Sequence, residues 1–170
     1  NIIIMKTLLL LLLASITVIN INAQDIAYGD WEISEVVDEF GDPTGDKVKV
    51  GYFEGKFNNS AQSGASLIVK VVDYGGAAKI NLYEYSSLPN VTIGYITIFG
   101  LIKVKRQNGD IETYDCMASE SGGLYFANEN YIKFSNLINN NNKEKVKVII
   151  EGESFGQSKS LKYFFTLVCK

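Results

Sequence analysis

Apolar and polar residues alternate along most of this chain. Lys47-Val48-Lys49-Val50-Gly51-Tyr52 switches at every position, the period of a half-buried strand. Trp31 and Ile33 begin a similar face, which slips at Val36-Val37 and predicts a bulge there. Leu67 to Val72 is an almost unbroken apolar run, so both faces of that strand are expected to be covered. Ile80 to Tyr85 resumes the alternation, with Tyr83 and Tyr85 on one side. Val91 to Val104 is long and β-branched, and Gly94 and Gly100 predict bends that divide it. Further strands are expected over Ile111 to Ala118, Leu124 to Phe126, Lys145 to Glu151 and Leu161 to Cys169.

The rhythm changes once. Tyr131, Phe134 and Ile138 fall at helical spacing behind Asn128, a residue suited to cap a helix. A short helix laid over an open end of the sheets follows, and the asparagines 139–142 end it. The sharpest local signal is Asn108-Gly109 between two strand-like runs. It predicts a two-residue hairpin in which both central residues take positive φ. That turn sets Lys105 opposite Glu112 and Lys103 opposite Tyr114, with the first, opposite-charge pair helping to fix the register.

About nine or ten short strands separated by turn residues fit an antiparallel sandwich or barrel. We read an all-β fold, an antiparallel two-sheet β-sandwich with one short helix in the C-terminal third, as a single domain over residues 24–170. An outer-membrane barrel would turn apolar side chains outward and polar ones inward. Here the faces opposite the apolar ones carry lysines, which argues against it.

Met5, Lys6, the unbroken leucines 8–13 and Ala23 make a secretory signal peptide over residues 1–23. The apolar run is short of the about 20 residues a membrane span needs, so no span is expected after cleavage. Export to the periplasm or the outside is expected. Removing the leader takes away Lys6 and no acid, leaving 15 basic against 19 acidic residues. No Lys/Arg cluster recommends a nucleic acid.

The chain holds no histidine. That removes the commonest general base, proton shuttle and metal ligand together, and leaves serine or Cys116 without its usual activator. Enzymatic chemistry is then carboxylate-based or absent, and a carboxylate-dependent hydrolase acting on a polysaccharide is the catalytic alternative. Asp38, Asp42 and Asp46 crowd one stretch with Glu39. A calcium site there would make the chain a calcium-stabilised adhesive domain, but the spacing is not that of a helix-loop-helix calcium loop. Asp42-Pro43-Thr44-Gly45 fits a type I turn and accounts for the same residues without a metal, so no cofactor is expected. Tyr83 and Tyr85 could stack on a sugar or a peptide, or cover the edge of the core. Cys116 and Cys169 form one disulfide or remain two buried thiols, alternatives that sequence leaves open.

Trp31, Phe40-Gly41-Asp42-Pro43-Thr44-Gly45, Phe57-Asn58-Asn59-Ser60-Ala61 and Leu82-Tyr83-Glu84 give the chain a second kind of signal. In these segments it resembles a group of small secreted bacterial β-proteins of unknown function, which implies export and a shared fold but no activity. A weaker likeness, through Gly29-Asp30-Trp31 and Cys116-Met117-Ala118, is to the invasion-associated locus B family of periplasmic sandwiches. That family usually has a Cys soon after the Trp, absent here, so its disulfide arrangement does not carry over. The expected role is a non-catalytic binding or interaction module for a protein or glycan partner.

Overall fold

The computed structural model describes residues 28–58, 62–85, 99–118, 123–126, 129–140, 143–153 and 160–170. The leader, residues 91–98 of the long β-branched run, and Asn128 lie outside them. In chain order the elements are β1 (Trp31–Val37), β2 (Pro43–Asn58), β3 (Ser63–Asp73), β4 (Ala78–Glu84), β5 (Phe99–Lys105), β6 (Ile111–Ala118), β7 (Gly123–Phe126), α1 (Asn130–Ile138), β8 (Lys145–Glu153) and β9 (Ser160–Val168).

The strands do not form two sheets. They pair antiparallel in the order β1-β2-β3-β4-β7-β6-β5-β8-β9, and β9 then returns to β2. The closing register runs from Gly55 opposite Phe165 to Asn58 opposite Lys162. The expected sandwich, with the support drawn for it from the locus B likeness, is therefore corrected to a closed barrel of eight strands, β2 to β9, with β1 attached outside the ring. Alternation specifies which side chains point inward. It says nothing of whether the last strand finds the first, and here it does. Gly55 permits the approach: a Cβ at that position would stand 2.4 Å from the Phe164 carbonyl oxygen.

Within the ring, β4 lies beside β7 while β5, β6 and β7 follow one another, a Greek-key arrangement. Inward positions are apolar. Phe53, Phe57, Val69, Ile80, Ile102, Val104, Val146 and Leu167 are fully buried. An eight-stranded barrel is just wide enough for its own side chains to fill. Outward positions carry Lys56, Lys79, Lys103, Lys147 and Lys162, the reverse of a membrane-facing barrel. Among the described residues no helix is long and apolar enough to cross a membrane.

Helix α1 packs against β4, β6 and β7. Phe134 stacks on Phe126 with centroids 4.3 Å apart and meets Tyr114 edge-on at 5.6 Å. The predicted stripe is present, joined by Leu137. A polar clasp fixes the helix end. Asp73, buried at the end of β3, accepts from Ser135 Oγ at 3.0 Å and Asn139 Nδ2 at 2.8 Å. Lys49 Nζ donates to Asn139 Oδ1 at 2.6 Å.

Two turns differ from expectation and share one build. In Asp38–Asp42 the N–H of Asp38 donates to the Asp42 carbonyl and that of Gly41 to the Asp38 carbonyl. Arg106–Asp110 repeats this, with Gly109 in the place of Gly41. Gly41 and Gly109 have φ of 88° and 95°, the left-handed glycine of a three-residue hairpin loop. Asn108 does not share the positive φ that a two-residue turn requires. The register therefore slips by one: Lys105 faces Ile111, Val104 faces Glu112 and Lys103 faces Thr113. The physical reason is the core. The observed register sets Ile102 opposite Tyr114, both buried, whereas the expected one matched that tyrosine with a lysine.

The other turn lies four residues earlier than expected. Asp38, not Asp42, caps it, its Oδ1 accepting from the N–H groups of Phe40 and Asp42 at 2.9 Å each. Pro43 already opens β2, and Thr44-Gly45-Asp46 form an irregularity opposite Val36, where the slip at Val36-Val37 was expected. Thr44 Oγ1 donates to the Val36 carbonyl at 3.0 Å.

Candidate interaction surface

Tyr83 and Tyr85 do not form one aromatic face. Tyr83 is half-buried in β4, and burial pushes its hydroxyl pKa up. Tyr85 has left the strand at φ 57°, a conformation few non-glycine residues adopt. Its ring stands edge-on to Phe57 at 5.1 Å, at the barrel end opposite α1. There Tyr163 donates to Glu84 Oε1 at 2.9 Å. Burial raises the Glu84 carboxyl pKa, and the bond from Tyr163 opposes that shift.

The acids of the exposed stretch do not converge. Among the described residues no group of three His, Cys, Asp or Glu is placed to hold a metal ion. Asp38 is occupied with turn amides, and Asp42 and Asp46 are exposed. Acids do meet at the α1 end of the barrel, around a cation. Arg106 Nη2 lies 2.7 Å from Glu144 Oε2, and its Nη1 lies 3.3 Å from Glu112 Oε1. Gln107 N–H donates to Glu144 Oε1 at 3.0 Å, and the Tyr114 hydroxyl donates to Glu112 Oε2. Burial, then Glu112, drives the Tyr114 hydroxyl pKa far above its ordinary value. Glu144 is only 9 % exposed, so this is a clamp joining the β5–β6 hairpin to the start of β8. A glycosidase pair needs open space between its carboxyls, and here a guanidinium fills it.

Cys116 and Cys169 are both buried free thiols. Burial first, then neighbouring acids, pushes them up to about 12 and about 11 respectively. Thiols held protonated in this way are inert nucleophiles.

Two exposed features remain. The first is a groove of about 450 Å³ on the outer surface, across β2, β8 and β9 where the barrel closes. Ile149 and Phe164, cross-strand partners, form its floor. Lys56, Lys147, Asn58 and Glu54 stand around them. Sequence reasoning missed it, although one signal was present: Phe164 sits at an outward position between the inward Tyr163 and Phe165.

The second is the hairpin of β1 with the first part of β2. The β2–β3 register starts only at Lys49, so residues 43–48 pair with β1 alone among the described residues. Among the described residues β1 pairs with β2 alone. This two-stranded arm is rooted by Trp31, which meets the Phe53 ring edge-on at 5.6 Å and donates from Nε1 to the Val168 carbonyl at 2.7 Å. Beyond the root it exposes Ile33, Val37 and Phe40, at 67 %, 56 % and 82 %.

The molecule is thus a helix-capped, eight-stranded antiparallel barrel with a filled interior and its open chemistry outside. The chain matches no protein-family model, no curated protein and no solved structure.

Proposed function

We propose that this chain is an exported, non-catalytic binding module that works through the outside of its barrel. The groove over the β2–β9 closure carries this reading. An outward strand face is ordinarily polar, yet Ile149 and Phe164 lie there as an apolar floor with two lysines beside them. An apolar floor with a few fixed polar groups is how ligand sites are built, and the volume falls in their usual range. The acids that do come together are engaged as clamps, which favours binding over hydrolysis. The leader pattern of Met5 to Ala23 and the likeness to small secreted β-proteins support export to the periplasm or beyond. A protein segment or a glycan is the class of ligand such a floor accepts, through its aromatic and aliphatic side chains.

The test is a peptide and glycan screen with the purified protein, repeated on Phe164→Ser and on Tyr125→Ser, which alters a different strand. Ligands found with the unaltered protein are expected to weaken by about tenfold or more on Phe164→Ser, a loss of about 1.4 kcal/mol, and to keep their affinity on Tyr125→Ser. Ligands that bind the Phe164→Ser protein undiminished would remove the groove from the reading.

A further inference from the structure

The arm and the groove are complementary in charge as well as in apolar character. Between residues 30 and 46 stand Asp30, Glu32, Glu35, Asp38, Glu39, Asp42 and Asp46, with no lysine or arginine among them. All seven are exposed. Phe40 lies at the tip of the hairpin among these acids, and Ile33 and Val37 lie along β1. The groove offers the converse: an apolar floor of Ile149 and Phe164 beside two lysines, Lys56 and Lys147, against one acid, Glu54, and neither lysine has an ion-pair partner among the described residues.

A two-stranded ribbon with two free edges is marginal in water by itself, and free edges with apolar side chains invite another chain. The groove has room for the Phe40 ring together with an aliphatic neighbour. Resting on the binding reading above, we propose that the groove of one molecule receives the acidic arm of a second copy of this chain. Phe40 seats against Phe164 and Ile149, and Glu35, Asp38 and Glu39 face Lys56 and Lys147. The two surfaces are different patches of the same molecule, so the contact is heterologous and propagates from copy to copy unless the rotation closes a ring.

Because each molecule carries both halves, variants of each half can be mixed. Oligomeric state would be followed by analytical ultracentrifugation from micromolar to near-millimolar concentration, for the purified protein and for two variants. One is altered in the arm (Phe40→Ser with Glu39→Lys), the other in the groove (Lys56→Glu with Lys147→Glu). All four positions are at the surface or half-exposed, and equal thermal midpoints would confirm that the variants fold. The unaltered protein is expected to self-associate with concentration, more weakly as salt rises. Each variant alone is expected to lose at least about tenfold in association. Mixed together they keep one good arm and one good groove, and are expected to give a discrete heterodimer and nothing larger. An unaltered protein that stays monomeric overturns the proposal, as does association that survives either variant or a mixture that stays monomeric. The binding reading would still stand if a screened peptide or glycan required Phe164, and would fall with the proposal if none did.

Discussion

Residues 49–58 and 43–48 belong to one strand and live in opposite surroundings. The stretch 49–58 is paired on both sides along much of its length and buries Phe53 and Phe57 in the barrel. The other, 43–48, has a partner on one side and exposes Pro43 to Lys47. Local sequence does not draw the boundary, since the alternation of Lys47 to Tyr52 runs straight through it. Whether a third strand is present does. Stability in this molecule therefore resides mainly in the closed ring and its helix, and the arm adds one small apolar cluster, Val36 and Val48 with Val50 and Val72, and otherwise surface.

The comparison breaks most severely where the ring meets its cap. Phe134→Ala removes a fully buried ring stacked on Phe126 and edge-on to Tyr114. A loss of about 3–5 kcal/mol is expected, read as a lower midpoint in urea unfolding. A loss below about 1 kcal/mol would mean that α1 is an accessory to the barrel and not its closure.

Next is the Arg106 clamp. Arg106→Met removes the guanidinium from both carboxylates, and Glu144, 9 % exposed, loses this cation while keeping the Gln107 N–H. Breaking a buried pair from one side typically costs about 3–5 kcal/mol. Arg106 itself keeps a quarter of its side chain in water, so about 2–3 kcal/mol is expected here. The double variant Arg106→Met with Glu144→Met should recover most of that loss, because the buried carboxylate is removed together with its cation.

The contrast also marks what sequence could and could not disclose. Alternation in Lys145 to Glu151 and Leu161 to Cys169 named the inward side chains, and the helical spacing of Tyr131, Phe134 and Ile138 named the cap. Those are local consequences of backbone period. Closure is not local. It depends on Gly55 lying under the Phe164 carbonyl, more than a hundred residues away in the chain. The Asn108-Gly109 register failed for a related reason. A turn preference worth a fraction of a kcal/mol yields to the burial of Ile102, Val104, Tyr114 and Cys116 on one face. The groove and the arm were each present as an oddity, Phe164 between two inward residues and Phe40 among acids, but only the fold shows Phe164 half-buried on the outer face and Phe40 exposed.

Two carboxylates test the ring by pH, with opposite signs. Glu151 bridges Lys103 and Lys162 at 2.6 Å each across β5, β8 and β9, and these bonds lower its pKa. A lowered carboxyl pKa adds stability above the ordinary carboxylate value, lost as pH falls through the folded value. The site is partly open, so Glu151→Gln should cost only about 0.5 kcal/mol at neutral pH and nothing in strong acid. Glu84, with its pKa raised chiefly by burial, does the reverse: stability is fully present below the ordinary carboxylate value and lost as pH rises through the folded one. Glu84→Gln, which keeps an acceptor for Tyr163, should therefore stabilise slightly at neutral pH. Urea midpoints relative to the unaltered protein should converge for the two variants in acid and part with opposite signs toward neutral pH, and parallel trends would contradict the assignments.

The smallest expected effect bears most directly on the contrast within β2. Phe40→Ser replaces the most exposed large apolar side chain among the described residues, and the urea midpoint should move by less than about 0.5 kcal/mol. The same strand should then divide by amide hydrogen exchange. Amides of Phe53 and Phe57 are expected to open only with global unfolding, while those of Asp46 and Lys47 open through local fraying of a ribbon that has no further strand at its edges among the described residues. Near-uniform protection from Asp46 to Phe57 would mean that the arm is held as firmly as the ring in solution. Since a two-stranded ribbon does not hold itself so firmly, that protection would have to come from a neighbour. Dilution would then decide the matter: protection of Asp46 and Lys47 that falls with protein concentration, while that of Phe53 does not, places the neighbour on another molecule.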